Sequence, residues 1–592
     1  MERSHKAARG RGRSAGSHSG ATSEPGRPVP GARELLRQLR RARSDFGATA
    51  EARKRELLQQ FAGVRLATAP QLTAYHEDLL FLVAFPGEHE TRSLALAELA
   101  RVAQRCRHLS AAVRARLDNS GIAGTLTRPA LAWPVARAFA DEAIDLDWRN
   151  LEDPGAFDTL LGRLISPAER EAFEGGDYSA RAWIALAKRE DESDFNWLVR
   201  EAAAARPLDD IATAWDGAQV PLRWSLHDSK RSITHARLSL RRPHLRTGFR
   251  RLAEPTATHV ARPLPGIRRL ERRDAAAVVD LARSALAARA REVHAMNYPN
   301  LDEVYRADLG EGVELMLIGV QPAQRLTLEA NYGYLIVGNG VPVGYGGVSP
   351  LYRQANTGIN IFDPFRGSEA AFLWAQCLRA FRTLFGVRRF VINGYQFGAG
   401  NDEAIASGAY WFYLRLGFRP SLAENVEVAA QEMEHLRRDP ATRTPAAVLR
   451  RLARGDLHFD LADFDDRDFI DESLLTRIGA VLARRIAGLR EPSHRDAERA
   501  LIAQVRRDLG MRTRARPTRD GQPGFERLAP YAALLDVASW PRAERSALAR
   551  WLAAKEAKAE LEFAVQATRM TMFFDGLRTL AQEEAERADG RR

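Results

Sequence analysis

A glycine-rich stretch in the second half of the chain carries polar side chains that could handle a substrate. It spans residues 395 to 403 and ends in Asn401, Asp402 and Glu403. Glycines beside polar groups are typical of loops that fold over a ligand. The same residues could equally be the start of a helix, and the sequence leaves both interpretations open.

A second group of chemically active residues is the strongly basic segment between residues 224 and 264. Its arginines could contact the phosphate groups of a nucleic acid. Few aromatic side chains are interleaved to stack on bases, so we favour a solvated connector with an incidental excess of arginine. The formal net charge of +12 adds little support for a nucleic-acid partner, because nearly all the positive charge is arginine, as a GC-rich genome would produce. The basic residues of the segment include Lys230, Arg231, Arg237, Arg241, Arg242, Arg246, Arg250 and Arg251.

The rest of the composition excludes several classes of site. The two cysteines, Cys106 and Cys377, are far apart in sequence, so neither a disulfide framework nor a thiolate metal site is predicted. An acidic run between residues 460 and 472 lacks the central glycine and the spacing of a calcium-binding EF-hand. We find no uninterrupted apolar run of about 18 residues and no secretory signal. We therefore expect no metal, no membrane association and a cytoplasmic protein.

Hydrophobic periodicity divides the 592 residues into five segments. Residues 1–30 have hardly an apolar side chain to bury and predict a disordered basic tail. Residues 31–220 show apolar side chains at helical spacing and predict an all-helical domain, which residues 221–264 follow as the basic connector. Residues 265–430 mix strands and helices, and residues 431–592 return to the helical pattern. The predicted fold class is α+β, with a mixed sheet and helices in the centre and all-helical N- and C-terminal regions on either side.

The central region shows its elements in a definite order. A helix over residues 274–291 precedes a run of short strands. Two of these strands are separated by Asn339 and Gly340, a pair that favours the tight turn of a β-hairpin. The predicted elements are strands at 334–337, 343–348, 358–362 and 389–393, with helices at 367–385 and 403–416.

The segment from Ala409 to Pro420 resembles the late motif of the GNAT superfamily of acyl-coenzyme A dependent N-acyltransferases. In that motif an alanine, an aromatic residue and a tyrosine precede a basic residue, leucine, glycine and phenylalanine, as they do in AYWFYLRLGFRP. The order of elements upstream is also similar to the GNAT core. The resemblance covers the central region only and implies that Tyr413 is a general acid that protonates the leaving coenzyme A thiolate. Considered without the family, Tyr413 could equally be an amphipathic core residue.

A phosphate loop is the second point of resemblance, and here the match is incomplete. In the family, glycines open a helix whose backbone N–H groups hold the pyrophosphate of coenzyme A. Arg366, Gly367 and Ala371 fit this pattern, but Glu369 stands where a second glycine is expected. A carboxylate about 5 Å from a phosphate charge would cost roughly 3 kcal/mol, about a hundredfold in affinity. Alternatively, Glu369 sits in the first helical turn and stabilises the helix dipole. The resemblance implies that acetyl-coenzyme A, or another acyl-coenzyme A, is bound by Ile361, Phe362, Arg366, Gly367, Ser368, Ala370, Ala371 and Asn401.

Such an enzyme also needs a general base that takes a proton from the amine acceptor. Four carboxylates lie near the relevant strands, and we choose Asp363 because it ends the strand that would line the acyl site. A base that acts through water would leave no pattern in the sequence. The four candidates are Glu329, Asp363, Asp402 and Glu403.

The leading hypothesis is therefore an N-acyltransferase that moves an acyl group, most simply acetyl, from coenzyme A to an unidentified amine on a small molecule or a protein. One alternative is a noncatalytic GNAT-like scaffold whose phosphate seat is filled by Glu369. A second alternative is an RNA-associated acyltransferase that uses the basic connector. The sequence assigns no role to the flanking helical regions and no oligomeric state.

Overall fold

Residues 31–439, 441–511 and 524–589 are described by the computed structural model, which shows a mixed α+β architecture. The tail predicted for residues 1–30 lies outside the described residues. A mixed sheet occupies the centre of the molecule, and helices from both halves of the chain pack into one core with it. In the described part of the chain, we find no helix with the length and apolar character needed to span a membrane.

The central sheet has nine strands, which we label in chain order. Their order across the sheet is β8-β9-β7-β6-β5-β4-β3-β2-β1. Neighbouring strands are antiparallel except β6 and β7, which run parallel. The strands are β1 Arg268–Arg269, β2 Pro299–Gly310, β3 Val313–Val320, β4 Tyr332–Gly338, β5 Val341–Leu351, β6 Gln354–Ile361, β7 Arg389–Ile392, β8 Arg419–Pro420 and β9 Leu457–Asp460.

The predicted Asn-Gly hairpin is confirmed. Strands β4 and β5 pair with Gly338 opposite Val341. The turn residues Asn339 and Gly340 have φ angles of 44° and 84°, a left-handed conformation that asparagine and glycine adopt most readily. A Cβ atom at Gly340 would lie 2.4 Å from the carbonyl oxygen of Leu238, so the connector packs directly on this turn.

Four helices of the central region position the pocket described below. They are α1 Arg272–Ala287, α2 Ala370–Phe385, α3 Asp402–Ser407 and α4 Ala409–Arg415. The predicted order of hairpin, strand, helix, strand and helix is confirmed, but the single helix expected over residues 403–416 is wrong. Gly408 adopts a φ of 67° between α3 and α4, and this left-handed residue breaks the helix in two.

The segment predicted as one all-helical domain, residues 31–220, is divided by the structure into two parts. Its first helices contribute Leu35, Leu79 and Leu99 to the same hydrophobic core as the central sheet. The second part has a core of its own, which we call the second helical core, and it also contains two short strands, which pair with a third strand at the start of residues 221–264. The helices are Ala32–Ala42, Ala48–Phe61, Ala69–Ala84, His89–Ala100, Val102–Arg107 and Ala111–Ala115, then Trp133–Ala138, Pro154–Leu164, Pro167–Glu174, Ala180–Ala187, Asp194–Ala204 and Leu208–Ala218; the strands are Leu126–Thr127, Ile144–Leu146 and Leu222–Ser225.

The C-terminal region is also not purely helical. Strand β9 pairs with β7 in the central sheet, so the sheet extends beyond the predicted boundary at residue 430. The helices around β9 bury Leu449, Leu501 and Trp551 in the main core. These helices are Ala423–Arg438, Ala446–Leu452, Glu472–Gly488, His494–Asp508, Gly524–Ala532, Arg542–Ala554, Leu561–Ala567 and Thr571–Asp589.

The basic connector is packed against the protein rather than solvated along its length. Arg231 forms ion pairs with Asp141, Glu142 and Asp280. Arg246 is buried, and Arg250 and His244 both contact Glu311. Internal carboxylates therefore neutralise part of the charge that would otherwise face a nucleic acid, while Arg241, Arg242 and Arg251 stay exposed.

Candidate functional site

A pocket opens where the two parallel strands of the sheet separate. Strands β6 and β7 are paired only from Gln354 to Asn356, and β6 then continues to Ile361 without β7 beside it. The gap holds a pocket of about 810 Å³, lined by β6, by part of β5 and by residues of α3, α4 and the loop before α2. This volume is in the range of small-molecule sites.

The structure brings together six of the ten residues that the sequence predicts for the site. Ile361, Arg366, Gly367, Ala370, Asn401 and Tyr413 all line the pocket. The other four, Phe362, Asp363, Ser368 and Ala371, are not among its lining residues.

Tyr413 reaches the pocket from α4, and its hydroxyl lies against the edge of β6. The backbone N–H of Ile359 donates a hydrogen bond of 3.3 Å to the Tyr413 hydroxyl oxygen. Four rings pack edge-on against the tyrosine and fix its position: Trp374, Phe397, Phe412 and Phe418. Burial raises the pKa of Tyr413 to about 12, so the phenol keeps its proton at neutral pH and is available as a hydrogen-bond donor.

The N-terminus of α2 presents unpaired backbone N–H groups beside the pocket. Leu373 donates the first helical hydrogen bond, to the carbonyl of Glu369. Within the described part of the chain, the backbone N–H groups of residues 367–372 have no hydrogen-bond acceptor, and no side chain caps the helix. Gly367 has a φ of 80°, and a Cβ atom there would meet nothing within 4 Å. An uncapped helix N-terminus with an open approach is suited to hold an anion.

Glu369 does not occupy this N-terminus with its carboxylate. The carboxylate accepts from Arg246 Nη1 at 2.8 Å and from the backbone N–H of Arg250 at 3.0 Å. Both side chains of the Glu369–Arg246 pair are buried, and Glu369 is not among the residues that line the pocket. The electrostatic cost expected from a carboxylate beside a phosphate is therefore removed by Arg246.

The predicted general base, Asp363, is not placed for that role. Its exposed carboxylate pairs with Arg366 Nη1 at 2.7 Å, outside the pocket lining. Ser368 donates its hydroxyl hydrogen to the carbonyl of Phe365 at 2.7 Å, and the ring of Phe362 packs under the guanidinium of Arg289 at 3.8 Å. These side chains support the loop before α2 and do not line the pocket.

A bridge of charges joins the elements around the pocket. Glu403 on α3 accepts from Arg291 Nη2 at 2.8 Å and from Arg366 Nη2 at 3.1 Å. The two arginines hold the pKa of the Glu403 carboxyl below its ordinary value. Arg366 also donates to the carbonyl of Ile361 at 3.1 Å, which ties the charged group to the end of β6.

Asn401 shows that the glycine-rich stretch is both an ordered helix start and a wall of the pocket. Its side-chain oxygen accepts from the N–H of Ala404 at 3.1 Å, which caps α3. Its side-chain nitrogen donates to the carbonyl of Tyr395 at 3.1 Å. The two interpretations of residues 395–403 are thus compatible.

Comparison with known proteins gives no match: no protein-family model, curated protein or solved structure matches the chain. What the site can do is therefore argued from its own geometry.

Glu292 is a pocket residue that sequence reasoning missed. It follows α1, and its carboxylate accepts from the backbone N–H of Ala132 at 3.1 Å. Partial desolvation of the carboxylate raises the pKa of Glu292, although the residue as a whole is exposed. The neighbouring Arg291 pairs with Glu403 and therefore does not neutralise the charge of Glu292. No motif or spacing in the sequence distinguishes this glutamate from other surface carboxylates.

Proposed function

We propose that the protein is a GNAT-type N-acyltransferase that moves an acyl group, most simply acetyl, from acyl-coenzyme A to an amine. The observation that carries this proposal is that Tyr413 and the uncapped N-terminus of α2 line one pocket, although the two motifs that contain them are separated in sequence. Each motif resembles a different part of the GNAT pattern.

The pocket has features suited to two parts of an acyl-coenzyme A molecule, its pyrophosphate and its amide-containing chain. The free N–H groups of residues 367–372 and the guanidinium of Arg366 would hold the pyrophosphate. Beyond Asn356 the edge of β6 has no strand partner, and such an edge can bond an extended chain that carries amide groups. Acyl-coenzyme A would supply an activated thioester.

Tyr413 would assist the bond-breaking step. Attack by the amine nitrogen forms the C–N bond and breaks the C–S bond, and the hydroxyl of Tyr413 donates to the sulfur that is released. A phenol with a pKa of about 12 is a weaker acid than a thiol, whose ordinary pKa is about 8.5. Complete proton transfer would be uphill by about 5 kcal/mol, so the main contribution of Tyr413 is a hydrogen bond that strengthens as charge develops on sulfur.

The alternatives from the sequence have less support. A scaffold whose phosphate seat is filled by Glu369 needs that carboxylate in the pocket, but it is bound by Arg246. An RNA-binding connector would have to rely on Arg241, Arg242 and Arg251, because Arg231 and Arg250 are paired within the protein. No observation favours either function over acyl transfer.

Calorimetric titration with acetyl-coenzyme A tests the proposal. We expect saturable binding, weakened at least about tenfold in Arg366→Ala through loss of a charge-assisted hydrogen bond. Tyr413→Phe should bind equally well and slow acyl transfer about a hundredfold, at the lower end of the range for a general acid. Arg419→Ala, an exposed arginine on β8 outside the pocket lining, is the matched control and should bind like the unaltered protein. No binding at millimolar acetyl-coenzyme A would refute the proposed function.

A further inference from the structure

A smaller cavity of about 290 Å³ adjoins the pocket, and both are lined by Glu292. Its walls are residues 130–132 and 215–220 of the second helical core, together with residues 294–298. Glu292 is therefore the side chain at which the two cavities meet. We call the smaller one the side cavity.

Glu292 is the carboxylate of the pocket that is left to accept a proton. The pocket lining contains two carboxylates, Glu292 and Glu403. Glu403 is engaged by two arginines, as described above. Glu292 is instead held by two neutral donors, the backbone N–H of Ala132 and the side chain of Asn297, which leave its charge without a paired cation. The cavity walls partly desolvate this carboxylate and raise its pKa, the direction that suits a general base, although the residue as a whole stays exposed.

The side cavity has the character of a site for an organic cation. Its lining includes a second carboxylate, Asp216, but no lysine or arginine. Asp216 accepts from the backbone N–H of Trp133 at 3.0 Å and from the hydroxyl of Tyr298 at 2.5 Å, both neutral donors. The aromatic side chains of Trp215 and Tyr298 also line the cavity. Carboxylates and aromatic rings in one concave wall attract an ammonium group.

We propose that Glu292 is the general base of this site and that the acceptor is a cationic amine that enters through the side cavity. The inference rests on the proposed function. Glu292 takes one proton from the ammonium group of the acceptor and leaves a neutral amine. The nitrogen then bonds to the acyl carbon as the C–S bond breaks, and the second surplus proton of the nitrogen ends on the released thiolate. The products are the amide and the thiol, with one proton released per transfer. A second positive group on the acceptor pairs with Asp216.

Calorimetry with three amines of equal chain length tests the charge of the side cavity without coenzyme A. The probes are 1,4-diaminobutane, 1-aminobutane and 4-aminobutanoate, which carry a second positive charge, no second charge and a negative charge. We expect the diamine to bind at least about tenfold more tightly than 1-aminobutane, the value of one ion pair of about 1.4 kcal/mol, and 4-aminobutanoate to bind most weakly. Asp216→Asn should remove the advantage of the diamine. Equal binding of the three amines, or no binding, would overturn the inference.

Acyl transfer to 1,4-diaminobutane tests the base. Glu292→Gln keeps an oxygen that can accept from Ala132 but cannot take a proton, so transfer should fall about 10²- to 10⁴-fold while acetyl-coenzyme A affinity is unchanged. Full activity of Glu292→Gln, or loss of activity in Asp363→Asn instead, would overturn the assignment of Glu292. If the unaltered protein does not bind acetyl-coenzyme A, the proposed function fails, and the amine titration still decides whether the side cavity binds cations.

Discussion

The buried pair of Glu369 and Arg246 gives a prediction that separates packing from cofactor binding. The two side chains are 1% and 0% exposed, and Arg246 Nη2 lies 2.7 Å from Glu369 Oε1. The guanidinium also lies over the ring of Phe85, 4.6 Å from the ring centroid, so this face of it is covered. Glu369→Gln leaves a buried cation without its counter-ion, and we expect it to lower the free energy of unfolding by about 3 to 5 kcal/mol.

The same substitution also tests where the carboxylate points. A carboxylate about 5 Å from the pyrophosphate would weaken binding about a hundredfold, so removing it would strengthen binding by that factor. The structure pairs Glu369 with Arg246 outside the pocket lining. We therefore expect the affinity of the folded Glu369→Gln protein for acetyl-coenzyme A to change by less than about threefold, under 1 kcal/mol.

Urea unfolding and calorimetry of a double-mutant cycle measure both quantities. The proteins are the unaltered chain, Glu369→Gln, Arg246→Met and the double variant. The double variant should be less destabilised than the sum of the two single variants, because it leaves no unpaired buried charge. Unchanged stability in Glu369→Gln together with about hundredfold tighter binding of acetyl-coenzyme A would refute this reasoning. It would show that the carboxylate lies beside the bound pyrophosphate.

Three further predictions concern stability. Lys555→Met should cost about 3 kcal/mol in urea unfolding, because Glu560, 0% exposed and 2.5 Å from the lysine nitrogen, would keep only the more distant Arg325 at 4.0 Å as a cation partner. Gly340→Ala should lower the free energy of unfolding by more than the roughly 1 kcal/mol that a left-handed alanine costs, because its Cβ would lie 2.4 Å from the carbonyl oxygen of Leu238. The melting temperature should fall accordingly, and an unchanged melting temperature would contradict this contact. Burial lowers the pKa of His458 to about 4, so the unfolded chain takes up the proton first and acidification from pH 7 to pH 5 should cost about 2 kcal/mol. His458→Phe should remove this part of the pH dependence of unfolding, and an unaltered dependence would show that His458 titrates normally.

Local turn chemistry explains what the sequence predicts well in the fold. Asn339 and Gly340 impose their turn through their own backbone preferences, so the hairpin was predictable from two residues. Gly408 has the same backbone freedom, but a glycine inside a helical pattern does not show whether the helix continues or ends there. Its left-handed φ of 67° is set by how α3 and α4 pack, which the pattern does not contain.

The pocket also contains some residues that the sequence predicts and others that it does not. Tyr413, Arg366 and Gly367 were predictable because each belongs to a short motif with fixed spacing. The pairing of Arg246 with Glu369 was not, because the two residues are 123 positions apart and no local pattern links them. The position of Glu292 is fixed by a backbone donor from Ala132, 160 positions away. Charge partners at such separations are consequences of the fold rather than signals in the sequence.

The flanking regions supply parts of the site that the central region lacks. Phe81 and Phe85 from the first helices pack on Phe365, which lies in the loop before α2, at ring-centroid distances of 6.3 and 5.6 Å. The second helical core contributes Ala132 and Asp216 to the side cavity. If the acceptor enters there, the central sheet provides the chemistry of acyl transfer and the second helical core provides the selection of the amine. Substitutions at Asp216 should then alter which amines react without altering the affinity for acetyl-coenzyme A, because Asp216 lines only the side cavity and not the pocket.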